Sequence, residues 1–231
     1  MRPTDLHATD LTAGLHLFFM EIIARGAEAV LYADVLDGCK VMVKERVRKG
    51  YRLVQIDERL RRERTNREVK LLTDARAAGV PTPQVLDSDS ATGKIVMEFV
   101  DGERVKEYLD RASSASAGKV CRRIGESVGR LHAAGMVHGD LTTSNMILRP
   151  DGKVVFIDFG LGSHTARVED RAVDMKLLHD AIKAAHFKLL DKCWKNITDG
   201  YVKEYKNARE VIKQIEAIAG RMRYAERAAG A

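Results

Sequence analysis

Hydrophobic positions along this chain change period several times, and each change marks an element. Ile22-Ile23-Ala24 leads through Arg25-Gly26-Ala27-Glu28-Ala29 into an alternating stretch that predicts a strand over Val30 to Leu36. Asp37-Gly38 reads as a tight turn, and Lys40 to Lys44 as the returning strand, so a three-stranded antiparallel sheet opens the fold. The period then becomes helical from Ile56 to Ala78, with Gly79, Pro81 and Pro83 as stop signals. Val85-Leu86 and Lys94 to Val100 form a hairpin around Ala91-Thr92-Gly93, after which helices dominate. Lys119 to Ala134 carries Val120, Ile124, Val128 and Leu131 on one face, with Gly135 as its stop. Glu169 to His186 reads as a further helix. Trp194, Ile197, Tyr201, Tyr205, Ala208, Ile212 and Ile215, at steps of three and four, predict one closing helix. The class is α+β.

Composition narrows this picture. With 231 residues and 45% hydrophobic content, the chain can bury a sizeable core. The apolar run Leu15 to Ala24 is broken by His16 and Glu21 and follows a polar start, so neither export nor membrane spanning is expected. Cys39, Cys121 and Cys193 contain no C-x-x-C pair, which points away from disulfides and zinc and towards a reducing, cytoplasmic setting. The net charge of +6 is concentrated: residues 40 to 70 hold twelve Lys or Arg against five Asp or Glu. Glu-Arg pairs on a solvated helix would account for that surplus, and so would a footprint for RNA or an acidic partner.

Candidate chemistry lies in Met136-Val137-His138-Gly139-Asp140-Leu141-Thr142-Thr143-Ser144-Asn145 and in Ile157-Asp158-Phe159-Gly160. A loop of the form H-x-D-x-x-x-x-N places one carboxylate, Asp140, at an attacking oxygen and one amide oxygen, Asn145, on a metal. The strand Val154 to Ile157 delivers Asp158 to the same Mg²⁺, for which oxygen ligands are apt. A polar turn between apolar strands is the competing explanation. Spacing, order and apolar flanks together favour the phosphotransfer site. Val41-Met42-Val43-Lys44 alternates so that Lys44 could reach the α and β phosphates of ATP. Glu68, four residues after Arg64 and four before Leu72, runs along the apolar edge of its helix, where a carboxylate wants a cation such as Lys44.

Met97-Glu98-Phe99-Val100 resembles a kinase hinge, with the backbone of Glu98 and Val100 on adenine. In the phosphate-loop position, Gly26-Ala27-Glu28 offers a single glycine, a weak version of the glycine-rich loop. His132 reads as a packing residue, and Asp174 as an acid able to bond the catalytic-loop backbone. These features give a bilobal, protein-kinase-like fold: an N-lobe over 15–100, a reduced, mostly helical C-lobe over 101–219 and a basic tail over 220–231. After Gly160 only 71 residues remain, and Gly139 stands where protein kinases carry Arg. Control by phosphorylation at Ser163 or Thr165 is therefore not expected.

Arg64-Thr65-Asn66-Arg67-Glu68, Gly79-Val80-Pro81-Thr82-Pro83, the His138 to Asn145 loop, Ile157 to Gly162, Glu169 to Asp174 and the arginine tail together resemble the small kinase-like ATPase subunit of the KEOPS complex. The resemblance covers about residues 15 to 227. It implies Mg-ATP hydrolysis with Ser/Thr phosphorylation as an accompanying activity. It also implies a place beside the threonylcarbamoyl-transferase subunit and other KEOPS subunits in making threonylcarbamoyladenosine in tRNA. Arg221, Arg223 and Arg227, with the basic helix, are the expected contacts to tRNA or partner. Two alternatives stand beside it: a small-molecule kinase of the aminoglycoside or choline kind, which shares H-G-D-x-x-x-x-N, and a non-catalytic module that uses nucleotide to hold its shape.

Overall fold

The structure is a computed structural model that describes residues 21–215, 217 and 218. Its contacts divide the chain into two compact units. Among the described residues, those up to Thr65 with Val85–Phe99 form the first, and Asn66–Gln84 with those from Val100 onward form the second.

The first unit is built on strands β1 (Glu21–Arg25), β2 (Ala29–Leu36), β3 (Cys39–Arg46), β4 (Val85–Asp89) and β5 (Lys94–Glu98). They form one antiparallel sheet in the order β1-β2-β3-β5-β4, so the predicted three-strand meander is extended by the hairpin. Asp37 and Gly38, at φ 50° and 79°, close the two-residue turn between the pair Leu36 and Cys39, as a primed hairpin turn requires. Residues paired across strands share a face. Leu31, Lys44 and Ile95 stand in one cross-strand row, with Ala33, Met42 and Met97 in another row of the same face. Tyr32, Val41 and Val43 are packed on the opposite face with Val30 and Val96.

Helix α1 (Val54–Ala77) contributes its first half to this unit and its second half to the next. Asp57 near its start binds Arg61 at 3.1 Å, and Arg61 donates to the Thr92 carbonyl at 2.8 Å. Its end is a Schellman motif: Gly79 at φ 79° donates to Arg76 at 3.0 Å, while Val80 donates to Ala75 at 3.0 Å.

The second unit continues through β6 (Glu103–Arg104), α2 (Val105–Arg111), α3 (Ser114–Ala133), β7 (Met136–Val137), β8 (Met146–Leu148), β9 (Val154–Phe156), β10 (Ser163–His164), α4 (Val168–Ala185) and α5 (Leu190–Glu204). Two of its helices differ from the sequence expectation. Helix α3 begins five residues before Lys119, because Ser113 caps it by accepting from the Ser116 amide at 3.2 Å, and the serine run behind that cap is helical. The closing helix is two: α5 stops at Tyr205, whose backbone is extended at φ −125° and ψ 113°, and helix resumes at 208. Tyr205 and Ala208 are both buried, so the apolar spacing runs through a break that it cannot register.

Helices α3 and α5 approach until backbones touch. A Cβ at Gly125 would lie 2.0 Å from the Ile197 carbonyl oxygen, and one at Gly200 would lie 2.3 Å from that of Arg122. The core between them includes Ile124, Val128, Leu131, Ile197 and Tyr201. Cys121 and Cys193 are buried there as free thiols hydrogen-bonded to each other, and Cys39 is exposed. Among the described residues no helix is long and apolar enough to cross a membrane.

Candidate active site

The β8–β9 hairpin sets the frame of the site. Met146 pairs with Phe156, and the Ile157 amide donates to the Asn145 carbonyl at 3.0 Å, which brings Asn145 and Asp158 to the same end of the hairpin. Upstream, a 3-10 turn at Thr143–Asn145 folds the loop back on itself. The Asn145 side-chain nitrogen donates to the Asp140 carboxylate at 2.8 Å and to the Asp140 carbonyl at 3.0 Å. With Nδ2 committed to Asp140, Oδ1 points to the opposite side of the amide.

His138 joins the two halves of this arrangement. It is fully buried, and burial lowers its pKa, so the ring is neutral. Its Nε2 donates to the Ile157 carbonyl at 3.0 Å, and its Nδ1 accepts from the Asp140 amide at 3.3 Å. One ring thereby fixes the residue before Asp158 relative to Asp140. Phe159 packs on it at 4.5 Å between ring centroids and is itself fully buried.

Asp174 on α4 supports the loop from behind. Its Oδ2 accepts from the His138 amide at 2.7 Å and its Oδ1 from the Gly139 amide at 2.9 Å, as the sequence suggested for this acid. His132 adds a third donor, Nε2 at 3.3 Å, and its own Nδ1 meets the Tyr201 hydroxyl at 2.8 Å. Burial raises the Asp174 pKa, but the His132 hydrogen bond, the charge interactions with His132 and His138 and the His138 amide outweigh it and hold the carboxyl below its usual range. Burial drives His132 down as well, to a neutral ring. His132 is therefore a hydrogen-bonded member of the loop's support, where packing alone was expected. The available signal was a polar ring at a core-facing helical position, since such a group needs a partner.

Asp158 is exposed, at φ 62°, with the Gly160 amide on its Oδ1 at 3.2 Å. A non-glycine residue held in the left-handed region at a candidate site is stored strain, tolerated best by Asp and Asn. Gly139 has φ 79°, and a Cβ there would sit 2.2 Å from the Leu161 carbonyl oxygen. No larger residue fits at that point.

The donor set suits Mg²⁺. Among the described residues no group of three or more His, Cys, Asp or Glu could hold a metal, so there is no all-protein cage. One amide oxygen and one or two carboxylates, completed by phosphate oxygens and water, is the usual environment of a hard octahedral ion on nucleotide.

The other predicted residues divide between the units. Lys44 is buried near the end of β3 in the first unit, and Glu68 is buried on α1 in the second. Glu98 closes β5 opposite Val41 in the first, and Val100 opens the second. In the loop after β1, the Gly26 amide donates to the Ala29 carbonyl at 2.9 Å, and the Ala27 carbonyl accepts from Lys49. The Glu28 carboxylate is bound by Arg64, which lowers its pKa, and lies 3.9 Å from Arg46. Arg221, Arg223 and Arg227 lie outside the described residues. Several cations of the basic 40–70 stretch are paired: Arg48 binds Glu58 at 2.7 Å, Arg59 Glu63 at 3.7 Å, and Lys70 Asp74 at 2.7 Å.

Two cavities lie elsewhere. One of about 620 Å³ in the first unit is lined by Ile22, Tyr32, Arg48 and Thr92 among others. One of about 460 Å³ in the second has Tyr108, Lys119, Arg123 and Arg149 in its wall. Neither includes Lys44, Asp140, Asn145 or Asp158.

Comparison with known proteins agrees with the geometry. The RIO domain family matches residues 39–180. Over 216 residues the chain is 43% identical to the KEOPS complex subunit Bud32 of Pyrococcus abyssi, a match covering 90% of this chain and 98% of that protein. It is 41% identical over 206 residues to a probable bifunctional tRNA threonylcarbamoyladenosine biosynthesis protein of Methanothermobacter thermautotrophicus. Its identity to the similarly named protein of Methanosarcina acetivorans is 40% over 206 residues. Those two matches each cover 89% of this chain but 37% and 36% of the longer relatives, so the chain spans little more than a third of their length.

Proposed function

Because the chain belongs to the RIO-domain family and, within it, to the family of the KEOPS complex subunit Bud32, we propose that it turns over Mg-ATP as the kinase-like ATPase of a KEOPS-type complex. Its work there supports threonylcarbamoyladenosine formation in tRNA beside the transferase subunit, in a cytoplasmic setting. The observation that carries the chemical part is the Asn145 amide clamped to Asp140 at 2.8 Å while His138 ties that pair to the strand end bearing Asp158. Such a preset arrangement needs little reorganisation when charge develops.

In this proposal Asn145 Oδ1 and the Asp158 carboxylate hold the metal. Held there, Mg²⁺ would neutralise the charge that builds on the phosphates. Lys44, with Glu68 as its counter-charge, orients the phosphates, and Gly26, Ala27 and Glu28 cover them. Adenine is taken by the backbone of Glu98 and Val100. Asp140 aligns the attacking oxygen and accepts its proton. That oxygen belongs to water in the assembled complex, and to a Ser or Thr hydroxyl when the chain phosphorylates protein. Arg221, Arg223 and Arg227 serve tRNA or the partner. The similarity to KEOPS-type relatives disfavours an aminoglycoside- or choline-like substrate, and the strained, exposed Asp158 disfavours a merely structural nucleotide.

Phosphate release from ATP by the purified chain, alone and with tRNA plus the transferase subunit, tests this against Asp158→Ala. Release that requires Asp158 and rises with the partners is expected. Binding of ATP with neither hydrolysis nor phosphotransfer in any combination would overturn it.

A further inference from the structure

Tyr201 lies on α5, 61 residues beyond Asp140 in the chain, and is fully buried. Its position is set by packing. The glycine contacts that bring α3 and α5 together put its ring edge-on to His132, at 5.4 Å between centroids and 88° between planes. Its hydroxyl ends on His132 Nδ1 at 2.8 Å.

The protonation pattern of this contact follows from the groups themselves. A carboxylate accepts hydrogen bonds and donates none, and a neutral imidazole carries one N–H. Since His132 Nε2 faces the Asp174 carboxylate at 3.3 Å, the N–H must be on Nε2. Nδ1 is then a bare acceptor in a dry core, and the Tyr201 O–H is the donor that fills it. Burial keeps that phenol protonated. The bonds run in one direction: Tyr201 to His132, His132 to Asp174, with the His138 and Gly139 amides also donating to Asp174 immediately before Asp140.

We propose that Tyr201 is a positioning residue for the phosphotransfer loop, acting by fixing the orientation of the His132 ring and thereby the carboxylate that holds the His138 and Gly139 amides. This rests on the role given above to Asp140. Without the hydroxyl, Nδ1 is an unfilled acceptor in a dry core, the ring loses one of its two anchors, and the Nε2–H bond to the Asp174 carboxylate loosens. The carboxylate then shifts, and the loop amides with it.

The test is Tyr201→Phe in the full chain, with Tyr205→Phe, just past the end of α5, as the control. We expect turnover of ATP to fall about fivefold, the equivalent of one neutral hydrogen bond, with KM for ATP unchanged. Nitrogen NMR of His132 should show the Nε2–H tautomer in both proteins, with the Nε2 proton resonance moving in the variant as its bond to Asp174 loosens. The His138 and Gly139 amides should exchange faster with solvent in Tyr201→Phe, and Tyr205→Phe should leave all three readouts alone. A Tyr201→Phe protein with parental turnover, Nε2 proton resonance and amide exchange overturns the proposal. So does one that melts earlier without moving them, because the hydroxyl would then only add stability. An Nδ1–H tautomer in the parent overturns it without any variant. Should the parent show no ATP turnover, the proposed function fails, while the tautomer and exchange measurements still decide the role of Tyr201.

Discussion

Asp174→Asn is the sharpest perturbation of the site's support, since it keeps the shape of a buried side chain and changes what each end can do. The carboxylate accepts from three donors: His138 N at 2.7 Å, Gly139 N at 2.9 Å and His132 Nε2 at 3.3 Å. An amide has one oxygen. In its better orientation that oxygen faces His138 and His132, and the new NH₂ group faces the Gly139 amide, donor against donor. Orphaning one buried N–H costs about 1–3 kcal/mol, and reducing two charge-assisted bonds to neutral ones removes roughly 0.5–1 kcal/mol each. Relief from burying a charge does not offset this. The depressed pKa already means that the folded surroundings favour the charged form after desolvation is counted. The sum is about 3 kcal/mol, a large share of the roughly 5–15 kcal/mol by which domains are stable. Urea denaturation followed by circular dichroism should show the midpoint falling with an unchanged slope. ATP turnover should fall with it, measured at a urea-free temperature where both proteins remain folded. A loss below about 0.5 kcal/mol would refute the claim that this carboxylate is held by three donors.

Stability should also fall on mild acidification. His132 and His138 have pKa values lowered by burial, so below pH about 6.5 the unfolded chain binds protons that the folded chain refuses, each contributing up to about 1.4 kcal/mol per pH unit. Asp174, depressed too, contributes stability that persists to lower pH and goes only as pH drops through its folded value. Urea midpoints equal at pH 7 and pH 5.5 would contradict this. Gly125→Ala should lower the thermal midpoint by several degrees, since its Cβ would sit 2.0 Å from a backbone oxygen and overpacking costs about 1–3 kcal/mol. Gly50→Ala, where nothing lies within 4 Å, is the control, and equal midpoints for the two variants would count against the close helix contact.

What was legible in the sequence was local. The Asp37-Gly38 hairpin, the long helix with its glycine stop and the loop from His138 to Asn145 are each specified within a few residues, by turn chemistry, by period or by a fixed spacing of polar groups. Asp140 and Asn145 bond to each other across five positions, and Asp158 follows on the next strand of the same hairpin. The short strands β7 and β10 exist because Met136 and Val137 run beside His164 and Ser163, and no propensity of two residues announces that. The contact of His132 with Tyr201 spans 69 positions and rests on helix packing at Gly125 and Gly200, so one sequence holds the residues but not their pairing. Glu28 shows the converse. Its place in a loop made it a nucleotide candidate, and the structure adds an ion pair with Arg64, 36 positions away, that spacing does not announce.

The substitution of Gly139 for the arginine of protein kinases acquires a physical reason in this light. The sequence registers a missing cation; the structure has no room for one, because the Leu161 carbonyl occupies the space a Cβ would need. That closeness comes from pairing between β7 and β10, continued by the Thr165 amide on the Gly135 carbonyl at 2.7 Å. Arg171 on α4, buried under the Tyr205 ring, donates to the Thr165 and Ala166 carbonyls at 3.0 Å each. The segment after Asp158 is thus held by backbone bonds and a guanidinium reading carbonyls, where a regulated kinase uses a guanidinium reading phosphate. Thr165 is unsuited to that older role, since its hydroxyl already donates to Asp170 at 2.6 Å and a phosphate there would face a carboxylate. The same packing that excludes the arginine therefore also holds the segment that follows Asp158.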